Sequence, residues 1–271
     1  MTIAEAFAWA KDREERREAE WLLSHVLGRP RSWFLGNLSQ SLDPKESQCY
    51  ERLLARRANG EPLAYLLGRW EFWSLELFVN KEVLIPRPET ELLVEIALAG
   101  IPKDISWEIV DLGTGSGAVA LAIAKERPVC NVVATDFFPS ATEVAKRNAR
   151  TLDLQNVEFV LGNWCTAVLG KRFHRILSNP PYIPESDSHL KKLSFEPRSA
   201  LVAGKDGLEA IRQIILEAYH HLFPGGELIL EHGHDQGATI RSLFSKAGYS
   251  EIKTFRDLED RDRVTQAKKL F

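Results

Sequence analysis

From Trp107 onward the chain alternates short apolar runs with helical stretches of about ten to fifteen residues, and few folds accommodate that pattern. "WEIVDLG", "NVVATD", "VEFVLGN" and "HRILSN" read as strands, with "AVALAIAKER" and "SATEVAKRNARTL" as helices between them. A helix from Leu208 to Leu222, the strand "GELILEHG", the helix "QGATIRSLFSKAG" and two strands around "SEIKTFRDL" and "DRVTQAKKLF" complete the series. Near-continuous apolar strands are buried on both faces, so the expectation is an α/β fold: a Rossmann-like, mostly parallel sheet with helices on both faces.

The part before this series reads differently. Apolar residues recur at helical spacing from Ile3 to about Leu27, and Asp43-Pro44 opens a second helix that runs to Asn59-Gly60. "RWEFWSLELFVN" alternates about Ser74 as a hairpin does. The expected organisation is a small helical domain over residues 1–68, a hairpin linker over 69–87 and a catalytic domain over 88–271. No apolar run reaches the roughly 20 residues that span a bilayer. The charged N-terminus lacks the apolar core of a signal peptide. Cys49, Cys130 and Cys165 are widely spaced, as free thiols in a reducing cytoplasm would be. With 35 basic against 38 acidic residues, the net charge of -3 does not advertise a polyanionic partner.

"DLGTGSGAVALAIA" sets Asp111 at the end of a strand, then Gly113, Thr114, Gly115, Ser116 and Gly117, then a helix. Glycine lets the backbone approach a ligand closely, and a helix N-terminus offers unpaired N–H groups. Gly113-x-Gly115-x-x-Ala118, with Asp136 about 20 positions on, also satisfies the relaxed dinucleotide pattern, so the loop alone leaves two cofactor classes open. The acidic residue before the loop and the crowded "GTGSG" spelling favour S-adenosylmethionine over a nicotinamide dinucleotide.

Ligands of open parallel sheets bind outside the carboxyl ends of the strands, so polar residues at those ends should converge. Asp111, Asp136, Asn163-Trp164 and Asn179 each close a strand. The expected roles are Asp136 to the ribose hydroxyls, Asn163 and Trp164 at the adenine, and the glycine loop at the methionine end.

After the fourth strand comes "NPPY", Asn179, Pro180, Pro181 and Tyr182, which is similar to the signature of methyltransferases acting on a planar nitrogen. Such a nitrogen is a poor nucleophile because its lone pair is delocalised. The Asn179 oxygen and the Pro180 carbonyl would accept its two N–H bonds and aim the lone pair at a sulfonium methyl. The prolines add no competing donor, and Tyr182 would lie against the flat face of the substrate. Both an exocyclic base amine and a side-chain amide fit this description.

Together, "IPRPETELLVE", "DLGTGSGAVALAIA", "SNPPYIP", "FEPRSALVAGKDGL" and "LEHGHDQG", with the helical N-terminal part, resemble the HemK family of peptide chain release factor glutamine methyltransferases. The resemblance covers nearly the whole chain and implies a class I S-adenosylmethionine-dependent methyltransferase. Its implied substrate is the glutamine amide of the Gly-Gly-Gln motif in class 1 release factors. It implies cofactor binding by Gly113 to Gly117, Asp136, Trp164 and Asn179, and capture of the glutamine by Asn179 to Tyr182. Release-factor docking by the helical domain and shaping of the loop over the site by Glu196-Pro197 also follow from it. Asn163 stands where many methyltransferases have Asp. The charged "DLEDRDRVTQAKK" leaves the last strand open.

An adenine or guanine amino methyltransferase acting on nucleic acid is the rival reading, and it calls for a basic, aromatic-rich face. "KDREERRE" is interleaved with acids and reads instead as a solvated helix surface. His220, His221, His232 and His234 lack zinc-site spacing and are expected at the surface or rim, with no metal; a structural use for Glu231 and His232 stays open. A cytoplasmic monomer, with no direct contact to nucleic acid or membrane, is expected.

Overall fold

The computed structural model describes residues 1–10 and 16–270, which divide into two compact units, Met1–Arg69 and a second from Trp70 onward. In the first, α1 (Ile3–Ala10), α2 (Arg16–Leu27), α3 (Pro44–Ala58) and α4 (Leu63–Leu67) enclose Ile3, Leu22, Leu23, Tyr50 and Leu54. The helical spacing read from Ile3 to Leu27 corresponds to α1 and α2. Positions 11–15, and with them most of "KDREERRE", lie outside the described residues. Helix α3 begins where Asp43-Pro44 predicts, because Asp43 accepts from the Glu46 amide (2.7 Å) while the Glu46 carboxylate accepts from the Asp43 amide (2.8 Å). The short α4, preceded by Pro62 and ended by Gly68, has too little periodicity to be read from sequence.

The second unit carries the hairpin β1 (Arg69–Phe72) and β2 (Leu75–Phe78), turned at Trp73 and Ser74 with φ of 51° and 54°. Two positive φ angles are what a two-residue hairpin turn matched to strand twist requires. Then follow α5 (Glu91–Gly100), β3 (Glu108–Leu112), α6 (Ala118–Glu126), β4 (Asn131–Asp136), α7 (Pro139–Thr151), β5 (Val157–Leu161) and β6 (Phe173–Ser178). The chain ends with α8 (Glu209–His221), β7 (Leu222–Glu231), α9 (Gly237–Lys246), β8 (Tyr249–Arg256) and β9 (Asp262–Lys269).

The sheet order is β5-β4-β3-β6-β7-β9-β8, parallel from β5 to β7, with β9 antiparallel to both of its neighbours. The charged C-terminal segment therefore does form a strand, inserted between β7 and β8; Val264 and Ala267 are buried within it. Successive residues of a strand point to opposite faces, and both faces here are apolar. Ile109 of β3 packs in one core with α5 and α6, while Val110 and Leu112 pack in the other with α8.

The hairpin is fastened to this layer by Asn148 of α7, which is 1% exposed. Its Oδ1 accepts from the Phe78 amide (2.7 Å), and its Nδ2 donates to the Phe78 carbonyl (3.0 Å) and the Ser116 carbonyl (2.8 Å). Asn148→Ala would strip three backbone groups, the Ser116 carbonyl buried and the two of Phe78 half-buried, of their partner. The expected loss is about 1–3 kcal/mol of stability, read from denaturant midpoints at constant slope. A loss below about 0.5 kcal/mol, ordinary for a surface change, would show that the tie is redundant.

Candidate active site

Strand β3 lies between β4 and β6, so the strand order reverses across it and a crevice opens at the carboxyl ends. The glycine loop is held there by the Thr135 carbonyl, which accepts from the amides of Gly113 (3.0 Å) and Thr114 (2.8 Å). Gly113 has φ +75°, and a Cβ on it would come within 3.0 Å of the Trp164 ring. Its missing side chain thus makes room for the tryptophan. Gly117, with φ +86°, faces Leu121 and Ala145 rather than the crevice. Its service is close packing of α6, and it does not line the cavity.

The cavity is lined by Asp111, Gly113, Thr114, Gly115, Ser116, Asp136, Asn163, Trp164, Asn179 and Pro181 from among the residues expected at the site. Asp111 is fully buried, and burial pushes its carboxyl up to about 7 against the pull of the Thr114 hydroxyl, which donates to it at 2.6 Å. Burial also raises Asp136, whose Oδ1 accepts from the Phe138 amide and whose Oδ2 accepts from the Gly115 amide, both at 2.9 Å. Asp136 does not cap α7, whose N-cap is Phe138. It buckles the glycine loop to the end of β4. Trp164 opens a 3₁₀ turn with φ 42°, in the left-handed region that side chains other than glycine avoid, and that backbone turns its ring onto the loop.

Glu82, Asp111 and Asp136 all face this cavity, and among the described residues no lysine or arginine lines it. A pyrophosphate would meet carboxylates there without a basic partner, whereas a sulfonium with an ammonium tail would be neutralised. The residues present therefore fit S-adenosylmethionine and oppose a nicotinamide dinucleotide.

A second cavity adjoins the first, lined by Arg87, Pro180, Tyr182, Ile183, Leu193 and Leu201, with Leu84, Asn179 and Ala200 common to both. The tetrapeptide is thus split. Asn179 faces both cavities, Pro181 the first, and Pro180 and Tyr182 the second.

Three features of this wall exceed what sequence reasoning found. The Glu196 carboxylate, 7% exposed, accepts from the Ile85 amide (3.1 Å) and pairs with Arg87, so the "FEPR" and "IPRPETE" segments are one tied structure over the site. Thr90, 3% exposed, accepts from Asn179 Nδ2 at 3.1 Å. At the end of β7, Glu231 accepts from the Tyr182 hydroxyl (3.2 Å), and Gln236 Nε2 donates to the Tyr182 carbonyl (3.0 Å). Burial pushes the Glu231 carboxyl up to about 7, opposed by Thr90, Arg263 and Tyr182.

His232 departs from the surface position expected of it. It is 0% exposed, with Nδ1 at 2.8 Å from the Gly233 carbonyl and Nε2 at 2.8 Å from the Thr265 hydroxyl. Both ring nitrogens are engaged, and the Nε2 contact joins the end of β7 to β9. His234 is exposed, as expected.

Comparison with known proteins matches residues 2–68 to the family described as PrmC N-terminal domain and residues 89–194 to the Methyltransferase small domain. The release factor glutamine methyltransferase of Xylella fastidiosa is 49% identical over 260 residues, covering 95% of this chain and 94% of that protein. That of Escherichia coli is 48% identical over 252 residues, covering 92% and 91%. This chain belongs to the release factor glutamine methyltransferase family. Among solved structures, a methyltransferase from Pyrococcus furiosus shares the fold at TM-score 0.57 and 22% identity, over 83% of this chain and 100% of that one. A T. thermophilus 16S rRNA methyltransferase in complex with AdoMet and guanosine does so at TM-score 0.56 and 17% identity, over 74% and 49%.

In this member of the glutamine methyltransferase family the buried Asp111 gives the fold a pH signature. Its folded-state pKa is raised from 3.8 to about 7, so folding favours the neutral acid. That contribution is complete below pH 3.8 and is lost as pH rises through about 7. Asp111→Asn, which keeps an acceptor for Thr114, is expected to flatten the decline in Tm of the ligand-free protein across that window. An unaltered slope would mean that Asp111 does not titrate there.

Proposed function

We propose that the chain transfers a methyl group from S-adenosylmethionine to the side-chain amide nitrogen of the glutamine in the Gly-Gly-Gln motif of class 1 peptide chain release factors. The observation that carries this reading is the pair of adjoining cavities that share Asn179: an acidic one suited to a cationic cofactor, and a largely apolar one flanked by Pro180 and Tyr182. Bound in the first, the cofactor would supply a sulfonium methyl, which an amide nitrogen takes with its lone pair while the carbon–sulfur bond leaves its pair on sulfur and the nitrogen gives up one proton to water.

In this reading Asp136 accepts from the ribose hydroxyls, Trp164 and Asn163 border the adenine, and the glycine loop with Asp111 meets the methionine end. Asn179 Oδ1 and the Pro180 carbonyl accept the two N–H bonds of the glutamine amide and aim its lone pair at the methyl. Positive charge grows on the nitrogen as the methyl arrives, so these fixed carbonyl dipoles stabilise the transition state more than the ground state. Tyr182 covers the amide plane. The helical unit Met1–Arg69 docks the release factor, and the protein works in the cytoplasm, a setting that its free Cys49, Cys130 and Cys165 fit.

Label from methyl-labelled S-adenosylmethionine is expected on purified release factor, and to vanish when its Gly-Gly-Gln glutamine is changed to alanine. Label on nucleic acid with none on release factor would instead place a base in the second cavity. Asn179→Ala is expected to slow turnover by about 10²- to 10³-fold with Tm maintained. Asp136→Ala should act chiefly by weakening cofactor binding; an unchanged cofactor Kd would remove the ribose assignment.

A further inference from the structure

An asparagine amide has an accepting end and a donating end of nearly equal size, and only its neighbours decide which way it points. Asn179 is useful to an amide substrate with Oδ1 toward the cavity and damaging with Nδ2 there, because a donor would face the N–H bonds it should accept. The atom that settles the matter is the Thr90 hydroxyl, which meets Asn179 Nδ2 at 3.1 Å inside a buried wall.

A hydroxyl has one hydrogen to give. If Thr90 spends it elsewhere, its oxygen can only accept, and the Asn179 end beside it must be the NH₂. The group placed to take that hydrogen is Glu231. Strands β6 and β7 run in parallel register with Ser178 opposite Leu230, so Asn179 and Glu231 are the next residues along the two strands. The Glu231 carboxyl is fully buried and its pKa is pulled down by the Thr90 hydroxyl. Oε1 is already engaged by the Tyr182 hydroxyl, while Oε2 is buried without a hydrogen-bond partner among the described residues and is the acceptor left for the Thr90 hydrogen. An ionised carboxylate donates nothing, so a Thr90 hydrogen directed at it leaves Thr90 an acceptor toward Asn179.

We propose that Thr90 and Glu231 are positioning residues which fix the direction of the Asn179 amide, Glu231 acting through Thr90, so that Oδ1 is the end presented to the substrate nitrogen. This rests on the reading of Asn179 as an acceptor for the glutamine amide. The same carboxylate steadies Tyr182, so one buried charge orients both ends of the tetrapeptide. It also gives the "RPETE" and "LEHG" motifs a shared task, since Thr90 belongs to one and Glu231 to the other.

The test compares Thr90→Val, Thr90→Ser, Glu231→Gln and the Val/Gln double variant, assayed at pH 8.5 with release factor and S-adenosylmethionine. Thr90→Val keeps the shape and deletes the hydroxyl. It is expected to lower kcat roughly 10²-fold, the scale of a mispositioned reacting group, with KM for release factor and Tm within about two-fold and a few degrees of wild type. Thr90→Ser should restore most of the activity. Glu231→Gln places a donor where the carboxylate accepted, and the double variant should be no slower than the slower single one, because both break one linked arrangement. Near-wild-type kcat in Thr90→Val, failure of Thr90→Ser to rescue, or multiplicative losses in the double variant would each overturn the proposal. Neutron diffraction of the wild-type protein checks it without any assay of activity. The Thr90 hydrogen should lie toward Glu231 and the Asn179 NH₂ toward Thr90; the reverse polarity would sink the proposal even if the protein methylates release factor.

Discussion

The reversal of strand order across β3 is the constraint on which the rest of this structure depends. A parallel sheet delivers the carboxyl ends of its strands to one edge, and the crossovers to either side of β3 leave those ends uncovered by helix. Asp111, Asp136 and Asn179 reach the same crevice from three neighbouring strands because the register brings those strand ends level. No loop has to travel to assemble the cavity. Its sheet-side lining is set by the residues that stand in or just after the last paired positions of each strand.

What the sheet does not provide is the orientation of those side chains, and buried polar contacts of long sequence separation supply it. Glu196 joins the two segments that border the site, Thr90 takes the Asn179 amide, and Glu231 takes the Tyr182 hydroxyl. Each is nearly inaccessible to water, where a hydrogen bond resists competition and an unpartnered group is strongly unfavourable. The acidic lining follows the same economy of placement. Burial raises the carboxyls of both Asp111 and Asp136, and a cationic ligand beside them would oppose that shift.

The fold was legible in the sequence because its signals are local. Apolar strands, the glycine loop after β3 and the Asp43-Pro44 helix start each announce themselves within a few residues. Most of the lining of the first cavity was legible for the same reason, since strand ends and loop glycines are positions that one strand–helix unit fixes by itself. Gly117 was the exception: spelling places it in the motif, but only the packing of α6 on α7 shows that it serves Leu121 and Ala145. His232 was misplaced to the surface because the partners that satisfy its ring, Gly233 and Thr265, include one on a strand 33 residues away. The contact of Thr90 with Asn179 was missed and the use of Glu231 left open on the same ground, as a threonine ending "RPET" and a glutamate ending a strand meet the tetrapeptide only through long-range packing.

The most direct measurement of the central claim is a crystal structure of the complex with S-adenosylhomocysteine and a release factor. The account predicts the glutamine amide in the cavity flanked by Pro180 and Tyr182, its nitrogen within hydrogen-bond distance of Asn179 Oδ1 and the Pro180 carbonyl and facing the cofactor sulfur. A glutamine bound elsewhere, or one whose nitrogen meets neither acceptor, would contradict it.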